Sequence, residues 1–280
     1  MSEESNGLKG VLIYVAVTLL GVIVVSSFLR GLGTSARGPV TGALVVIAMW
    51  FPSLARFSAT RIADRDWRTP FPLKYFGHPR MAVMLIPLCI VSAIYIFAYV
   101  FASLLHVEIQ PPVWRGASVA INIALNLPML ALVDAAGALG EELGWRGYLQ
   151  PRLHQLGVRC SVLWVIIIET LFHVPLILMG TYLSSNSARL TILLFFGLKL
   201  GATPLWTWAT YRSRSIWAAI WFHAFHNAVS QVLAPKGFGA GDPRILGESG
   251  ILPVIFYLAA AVIMFFSPKS KGGAWGLPAD

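Results

Sequence analysis

Long apolar segments separated by short polar ones make up most of this chain. The apolar runs are about 20 residues long, the length a helix needs to span the hydrocarbon core of a bilayer. They do not alternate with a period of two, and only helices or closed barrels satisfy the backbone in lipid. The pattern therefore predicts an all-α, polytopic membrane protein of about eight transmembrane helices. The predicted spans are approximately 11–29, 39–55, 81–105, 117–140, 158–180, 189–210, 215–233 and 250–267.

Composition supports a membrane protein. Of the 280 residues, 57% are hydrophobic and only 12% are charged, whereas a soluble domain carries about 25% charged residues. The net charge of +9 comes without a basic run interleaved with aromatic residues, so it does not indicate nucleic-acid binding. We expect the lipid bilayer as a partner and no nucleic acid. We also expect one membrane domain over residues 1–280, with a mobile tail at 268–280.

The distribution of loop charges predicts the orientation in the membrane. Most lysines and arginines of the loops, including those from Arg56 to Arg80, fall on the side of the N-terminus. The positive-inside rule then places both termini on the cytoplasmic side of the cell membrane. The same loop carries Trp67 and Tyr75 among its prolines, which is typical of an interfacial segment on lipid headgroups.

Charged residues end the fourth apolar run, in the stretch from Asp134 to Tyr148. Glu142 and Arg146 are four residues apart and share a helix face, and Glu141 is adjacent. Two neighbouring carboxylates are costly beside hydrocarbon unless something requires them. The alternative is a solvated helix end, with Glu142 and Arg146 as an ordinary surface pair.

Later apolar runs also contain polar side chains. His173 lies in the fifth predicted span with Glu169 one helical turn before it, and His223 and Asn227 share a face of the seventh. Polar groups inside membrane spans usually face one another. Hydrogen bonding between helices is the simpler explanation of a single intramembrane histidine. Lys199, in the sixth span, either extends to the interface or pairs with a buried carboxylate.

These side-chain types suit the hydrolysis of an amide bond. A carboxylate and a neutral imidazole that converge on one water form a general-base pair. A further histidine and an asparagine amide can donate hydrogen bonds to an oxyanion that develops on a carbonyl. The sequence contains neither Gly-x-Ser-x-Gly nor His-Glu-x-x-His, so it offers no competing serine-hydrolase or zincin motif.

The same residues carry a resemblance to a known family. The chain contains, in this order, Glu141-Glu142-x-x-x-Arg146, then His173, then His223-x-x-x-Asn227. This set resembles the motifs of the CPBP (CAAX protease and bacteriocin-processing, or Abi) intramembrane proteases, which include prenyl-protein endopeptidases of the Rce1 type. The resemblance covers roughly Asp134 to Ser230, and it implies an Rce1-like fold with a catalytic core at 117–233.

The resemblance also implies roles for individual residues. Glu141 would activate the attacking water together with His173. His223 and Asn227 would form the oxyanion hole. Glu142 and Arg146 would pair and hold the fourth helix in place.

One position departs from the family pattern. The second motif of the family is Phe-x-x-x-His, and Glu169 stands where the phenylalanine belongs. The extra carboxylate can hydrogen-bond to His173 or point into a polar cavity. The difference leaves the type of substrate open.

Metal dependence is left open by the resemblance. Glu141, His173 and His223 can supply three zinc ligands, as in a metalloprotease. The same histidines can equally act as base partner and donor without a metal. We expect no cofactor and a glutamate-dependent, metal-free mechanism. Cys89 and Cys160 lack the spacing of a disulfide framework or a metal site.

The sequence thus predicts an intramembrane endopeptidase that hydrolyses a peptide bond of a membrane-associated or lipidated protein or peptide. One alternative is a non-catalytic membrane protein of the same scaffold, acting in bacteriocin self-immunity or as a chaperone-like factor. Another is a proton-coupled transporter, although the motifs lie in one half of the chain and not in two inverted halves. A third is a hydrolase of lipid or thioester bonds. The sequence does not set the cleavage site or the oligomeric state.

Overall fold

The computed structural model describes residues 3–32, 39–64, 81–183 and 187–266. In these ranges the chain is helical, and its only strand-like feature is an isolated antiparallel bridge between Ile109 and Gly241. The prediction of an all-α fold is therefore confirmed. The predicted interfacial segment around Trp67 and the predicted mobile tail at 268–280 lie outside the described residues.

Twelve α-helices and three π-helical turns make up the described part of the chain. The α-helices are α1 (Glu3–Leu32), α2 (Pro39–Met49), α3 (Phe51–Ala59), α4 (Met81–Leu104), α5 (Ser118–Gly144), α6 (Gln150–Gln155), α7 (Ser161–Leu178), α8 (Ala188–Ser213), α9 (Trp217–Asn227), α10 (Ala234–Phe238), α11 (Pro243–Leu246) and α12 (Ile251–Phe266). The π-helical turns are Thr60–Asp64, Trp145–Leu149 and Ala228–Leu233.

Seven helical segments in the described ranges are long and apolar enough to cross a membrane. They are Ser5–Leu32, Gly42–Ala63, Met81–Leu104, Ser118–Gln155, Ser161–Leu178, Ala188–Ser213 and Pro243–Met264. These segments correspond to seven of the predicted spans, and the chain is a multi-pass integral membrane protein. The remaining predicted span, 215–233, is helical but is not among the seven. It carries His223, His226 and Asn227, and most of its side chains are buried within the protein.

Helix α9 occupies a central position, because it packs against α4, α5 and α8. Helix α7 packs against α8 and α1, and α3 lies against α1 and α5. The four helices that carry the predicted site residues and Lys199, namely α5, α7, α8 and α9, are therefore neighbours. Helix α12 packs against α8 and α4.

Two glycines set the distance between α8 and α12. A Cβ atom added at Gly201 would lie 2.6 Å from the backbone carbonyl carbon of Tyr257, and one at Gly197 would lie 3.1 Å from Val254. Small residues four apart on one face allow membrane helices to approach to backbone contact. Gly201 therefore permits a contact that any side chain would prevent.

Candidate active site

The charged residues at the end of α5 are inside the protein. Glu141, Glu142 and Arg146 are exposed by only 1%, 0% and 2%. The helix reaches the interior because its glycines allow close packing on α3, and a Cβ at Gly144 would lie 2.4 Å from the Pro52 side chain. The alternative reading, a solvated helix end with a surface ion pair, is wrong.

Arg146 joins two carboxylates from different helices. Its Nη1 atom donates to Glu142 Oε2 at 2.8 Å, within the same helical segment, and to Glu169 Oε1 on α7 at 2.6 Å. All three side chains are fully buried. A buried charge is stable only when it is paired and hydrogen-bonded, so this arrangement fixes α5 against α7.

Glu169 uses its carboxylate for contacts away from His173. Besides the bond from Arg146, its Oε2 atom accepts a hydrogen bond from Thr203 at 2.7 Å and lies 3.6 Å from the ammonium of Lys199. Both residues belong to α8, so Glu169 links three helices. Two alternatives were expected for this carboxylate: a hydrogen bond to His173 or a position facing the cavity. The structure shows neither, because His173 hydrogen-bonds to the backbone carbonyl of Glu169 and Glu169 is not among the residues that line the cavity.

His173 is oriented by the backbone of its own helix. Its Nδ1 atom lies 2.7 Å from the carbonyl oxygen of Glu169. A carbonyl oxygen only accepts, so Nδ1 carries the hydrogen and the neutral ring keeps its lone pair on Nε2. The ring packs against Phe195 and Phe172 at centroid distances of 4.5 and 5.0 Å.

His223 is held from the opposite side by α5. Its Nδ1 atom lies 3.0 Å from Glu142 Oε1, and its ring stacks on Trp206 at 5.0 Å. Glu142 is paired with Arg146, and an ionised carboxylate only accepts, so Nδ1 donates. The neutral ring therefore has no N–H left for the cavity, and donation from Nε2 requires the imidazolium form.

A small cavity lies between these helices. It is lined by His173, Tyr182, Phe195, Leu198, Lys199, Ala202, Trp206, His223, His226, Asn227 and Glu248. It thus brings together three of the four predicted catalytic residues. The fourth, Glu141, is not among the lining side chains, and its Oε2 atom accepts a hydrogen bond from Trp145 Nε1 at 3.1 Å.

One wall of the cavity contains residues that sequence reasoning missed. Glu248 is buried, and its carboxylate accepts hydrogen bonds from the Tyr182 hydroxyl and, at 2.9 Å, from Gln231 Nε2. His226 Nε2 lies 3.5 Å from the same carboxylate. The available signal was one acidic residue just before the last apolar run, and that position is also typical of a solvated loop.

The three candidate metal ligands do not form a metal site. In the ranges that the structure describes, no three His, Cys, Asp or Glu side chains are grouped so that they could hold a metal ion. Glu141, His173 and His223 therefore do not meet as ligands. Cys89 and Cys160 are both free thiols. The expected absence of a cofactor stays a prediction.

Comparison with known proteins agrees with the motifs. Residues 122–229 match the family model described as Type II CAAX prenyl endopeptidase Rce1-like. The matched region begins in α5 and ends just after α9, so it contains every predicted site residue. No curated protein and no solved structure matches the chain. The family match confirms the resemblance to the Rce1-type intramembrane proteases.

Proposed function

We propose that this chain, whose residues 122–229 match the Rce1-like family, is an intramembrane endopeptidase acting on a membrane-associated or lipidated protein or peptide. The proposal rests on one observation: His173, His223 and Asn227 line the same cavity inside the helical bundle. A basic nitrogen and an amide donor around one enclosed space suit the hydrolysis of a peptide bond.

Glu141 and His173 are the proposed activators of water. His173 donates Nδ1–H to the Glu169 carbonyl, so Nε2 remains to accept a proton from water. Glu141 is buried next to Glu142, and one of its carboxylate oxygens is held by Trp145. Burial in a low-dielectric site strengthens its electrostatic effect on the reacting groups.

His223 and Asn227 are the proposed donors to the oxyanion, and they lie one turn apart on the same face of α9. Donation by His223 Nε2 requires the imidazolium form, with Glu142 as the acceptor at Nδ1. Glu142, Arg146 and Glu169 are proposed to hold this arrangement and not to touch the substrate.

A non-catalytic membrane protein of the same scaffold is the second candidate. Two observations favour it: Glu169 replaces the family phenylalanine, and Glu141 is absent from the cavity lining. Under this candidate, the cellular function would survive substitution of Glu141. For either candidate, we propose a location in the cell membrane, and the loop charges favour a cytoplasmic position for both termini.

Cleavage by the purified protein in liposomes tests the proposal. The probes are a farnesylated peptide ending in a CAAX sequence and the same peptide without the lipid, with products identified by mass spectrometry. We expect the wild type to cleave at least the farnesylated peptide. Glu141→Gln and His173→Ala should each lower the rate by at least about 100-fold.

Two control variants make the same chemical changes, loss of a carboxylate charge or of an imidazole, at positions away from the candidate site. Glu108→Gln and His154→Ala change exposed residues and should cleave at the wild-type rate. Full activity of folded Glu141→Gln protein would overturn the role proposed for Glu141. No cleavage by the folded wild-type protein would overturn the proposed function and favour the second candidate. Cleavage of both peptides at equal rates would show that the lipid is not recognised.

A further inference from the structure

Lys199 extends its ammonium group into the candidate active site. Its Nζ atom lies 5.3 Å from the centre of the Phe195 ring and 5.1 Å from the Trp206 ring. Phe195 packs on His173, and Trp206 stacks on His223. The cation therefore lies among the ring partners of both histidines, and its side chain is only 5% exposed.

The contact with Glu169 compensates the positive charge of Lys199 but does not use the hydrogen-bonding capacity of its ammonium group. Nζ is 3.6 Å from Glu169 Oε2, which is longer than an ordinary hydrogen bond. The same carboxylate already accepts from Arg146 at 2.6 Å and from Thr203 at 2.7 Å. An ammonium carries three N–H donors, so Lys199 can donate to a substrate that enters the cavity.

The proposed reaction needs such a donor. When the oxygen of water attacks the carbonyl carbon of the scissile bond, a proton leaves the water for the general base and the carbonyl oxygen becomes an oxyanion. The intermediate then collapses, the C–N bond breaks, and the leaving amine takes the proton. Neutral His223 has already committed its N–H to Glu142. A cation held in place in a water-poor site stabilises the oxyanion without that limitation.

We propose that Lys199 is a further catalytic residue, which donates a hydrogen bond to the oxyanion of the tetrahedral intermediate beside Asn227. The inference rests on the proposed function, because it assigns a role within the same hydrolysis. The structure offers one competing role for Lys199, that of a counter-ion for Glu169 alone.

The first test is Lys199→Met with the farnesylated CAAX peptide as the probe. Removing one oxyanion donor typically costs about 100- to 1,000-fold in kcat, and we expect a loss in this range with KM changed less than about threefold. Lys199→Arg keeps the charge and should recover part of kcat. The matched control is Lys236→Met, an exposed lysine outside the cavity, which should keep the wild-type kcat.

The double variant Glu169→Gln/Lys199→Met separates catalysis from charge compensation. It removes both charges of the pair and is compared with Glu169→Gln alone, because Glu169 also accepts from Arg146 and Thr203. A counter-ion role predicts the kcat of Glu169→Gln, whereas a catalytic role predicts that kcat falls below that of Glu169→Gln by about the factor lost in Lys199→Met. A double variant with the kcat of Glu169→Gln would overturn the inference. If Lys199→Met does not fold, the comparison of the double variant with Glu169→Gln decides the question alone.

The folded wild type and Glu141→Gln, assayed in parallel, keep the two proposals apart. An inactive Glu141→Gln together with a fully active Lys199→Met refutes only the role of Lys199. Absence of cleavage by the folded wild type refutes the proposed function and, with it, the role of Lys199.

Discussion

The Nδ1 atom of His173 donates to the backbone carbonyl of Glu169, 2.7 Å away and one helical turn earlier. This bond does not involve the Glu169 side chain. Phenylalanine, the family residue at this position, would offer the same carbonyl. The departure from the family pattern therefore leaves the orientation of His173 intact and adds a separate polar link among α5, α7 and α8.

Introducing the phenylalanine of the family motif at position 169 should destabilise this protein. Glu169→Phe removes the carboxylate that Arg146, Thr203 and Lys199 share in the interior. Removing one partner of a buried ion pair costs about 3–5 kcal/mol, so we expect a clearly lower melting temperature in detergent. Glu108→Phe, at an exposed position, serves as the control. An unchanged or raised melting temperature would show that the charges re-pair without Glu169.

Adding one methyl group between α8 and α12 should also destabilise the fold. In Gly201→Ala, the new Cβ would lie 2.6 Å from the Tyr257 backbone, which cannot move away as a side chain can. Overpacking of this kind costs about 1–3 kcal/mol. Gly31→Ala is the matched control, because no atom lies within 4 Å of its added Cβ. Equal melting temperatures for the two variants would mean that the helices separate at little cost.

Removing the carboxylate in the cavity wall should weaken substrate binding. Glu248→Ala leaves the Tyr182 hydroxyl and the Gln231 amide without their acceptor. A hydrogen bond to a charged group contributes about 1.5–3 kcal/mol, so we expect a lower melting temperature and a higher KM for the farnesylated peptide. Glu248→Gln keeps an acceptor oxygen and should lie between Glu248→Ala and the wild type. A wild-type KM in folded Glu248→Ala would show that this wall does not shape the binding site.

Metal chelators should not inhibit cleavage. Among the residues that the structure describes, the candidate ligands Glu141, His173 and His223 do not form a group that could hold a metal. We expect unchanged rates after incubation with EDTA or 1,10-phenanthroline. Metal content is measured by mass spectrometry on the same samples. Loss of activity that added zinc restores would contradict this expectation.

The long apolar runs were sufficient to predict the helices, because each has the length and composition that the bilayer demands. The pairing of Glu142 with Arg146 followed from their spacing of four residues on one helix. The contact of Glu142 with His223 joins positions 81 residues apart. It depends on how α5 packs against α9, which periodicity does not encode.

The environments of Lys199 and Glu248 could not be predicted from the sequence either. The sequence left Lys199 with two possible environments, and only the position of α7 beside α8 selects the one near Glu169. The sequence analysis did not single out Glu248, because its donors Tyr182 and Gln231 come from other segments of the chain. The sequence identified chemically active residue types, and the packing of the helices determined which of them meet.

Two of the π-helical turns have a consequence for how related chains can vary in length. Arg146 lies within the turn Trp145–Leu149, and the turn Ala228–Leu233 begins directly after Asn227. Each such turn accommodates one residue more than a regular α-helical turn. Deleting a single residue from Ala228–Leu233 would turn the segment into regular α-helix and leave the residues on both sides in register. An alignment that forbids gaps there would misplace Gln231 and everything beyond it.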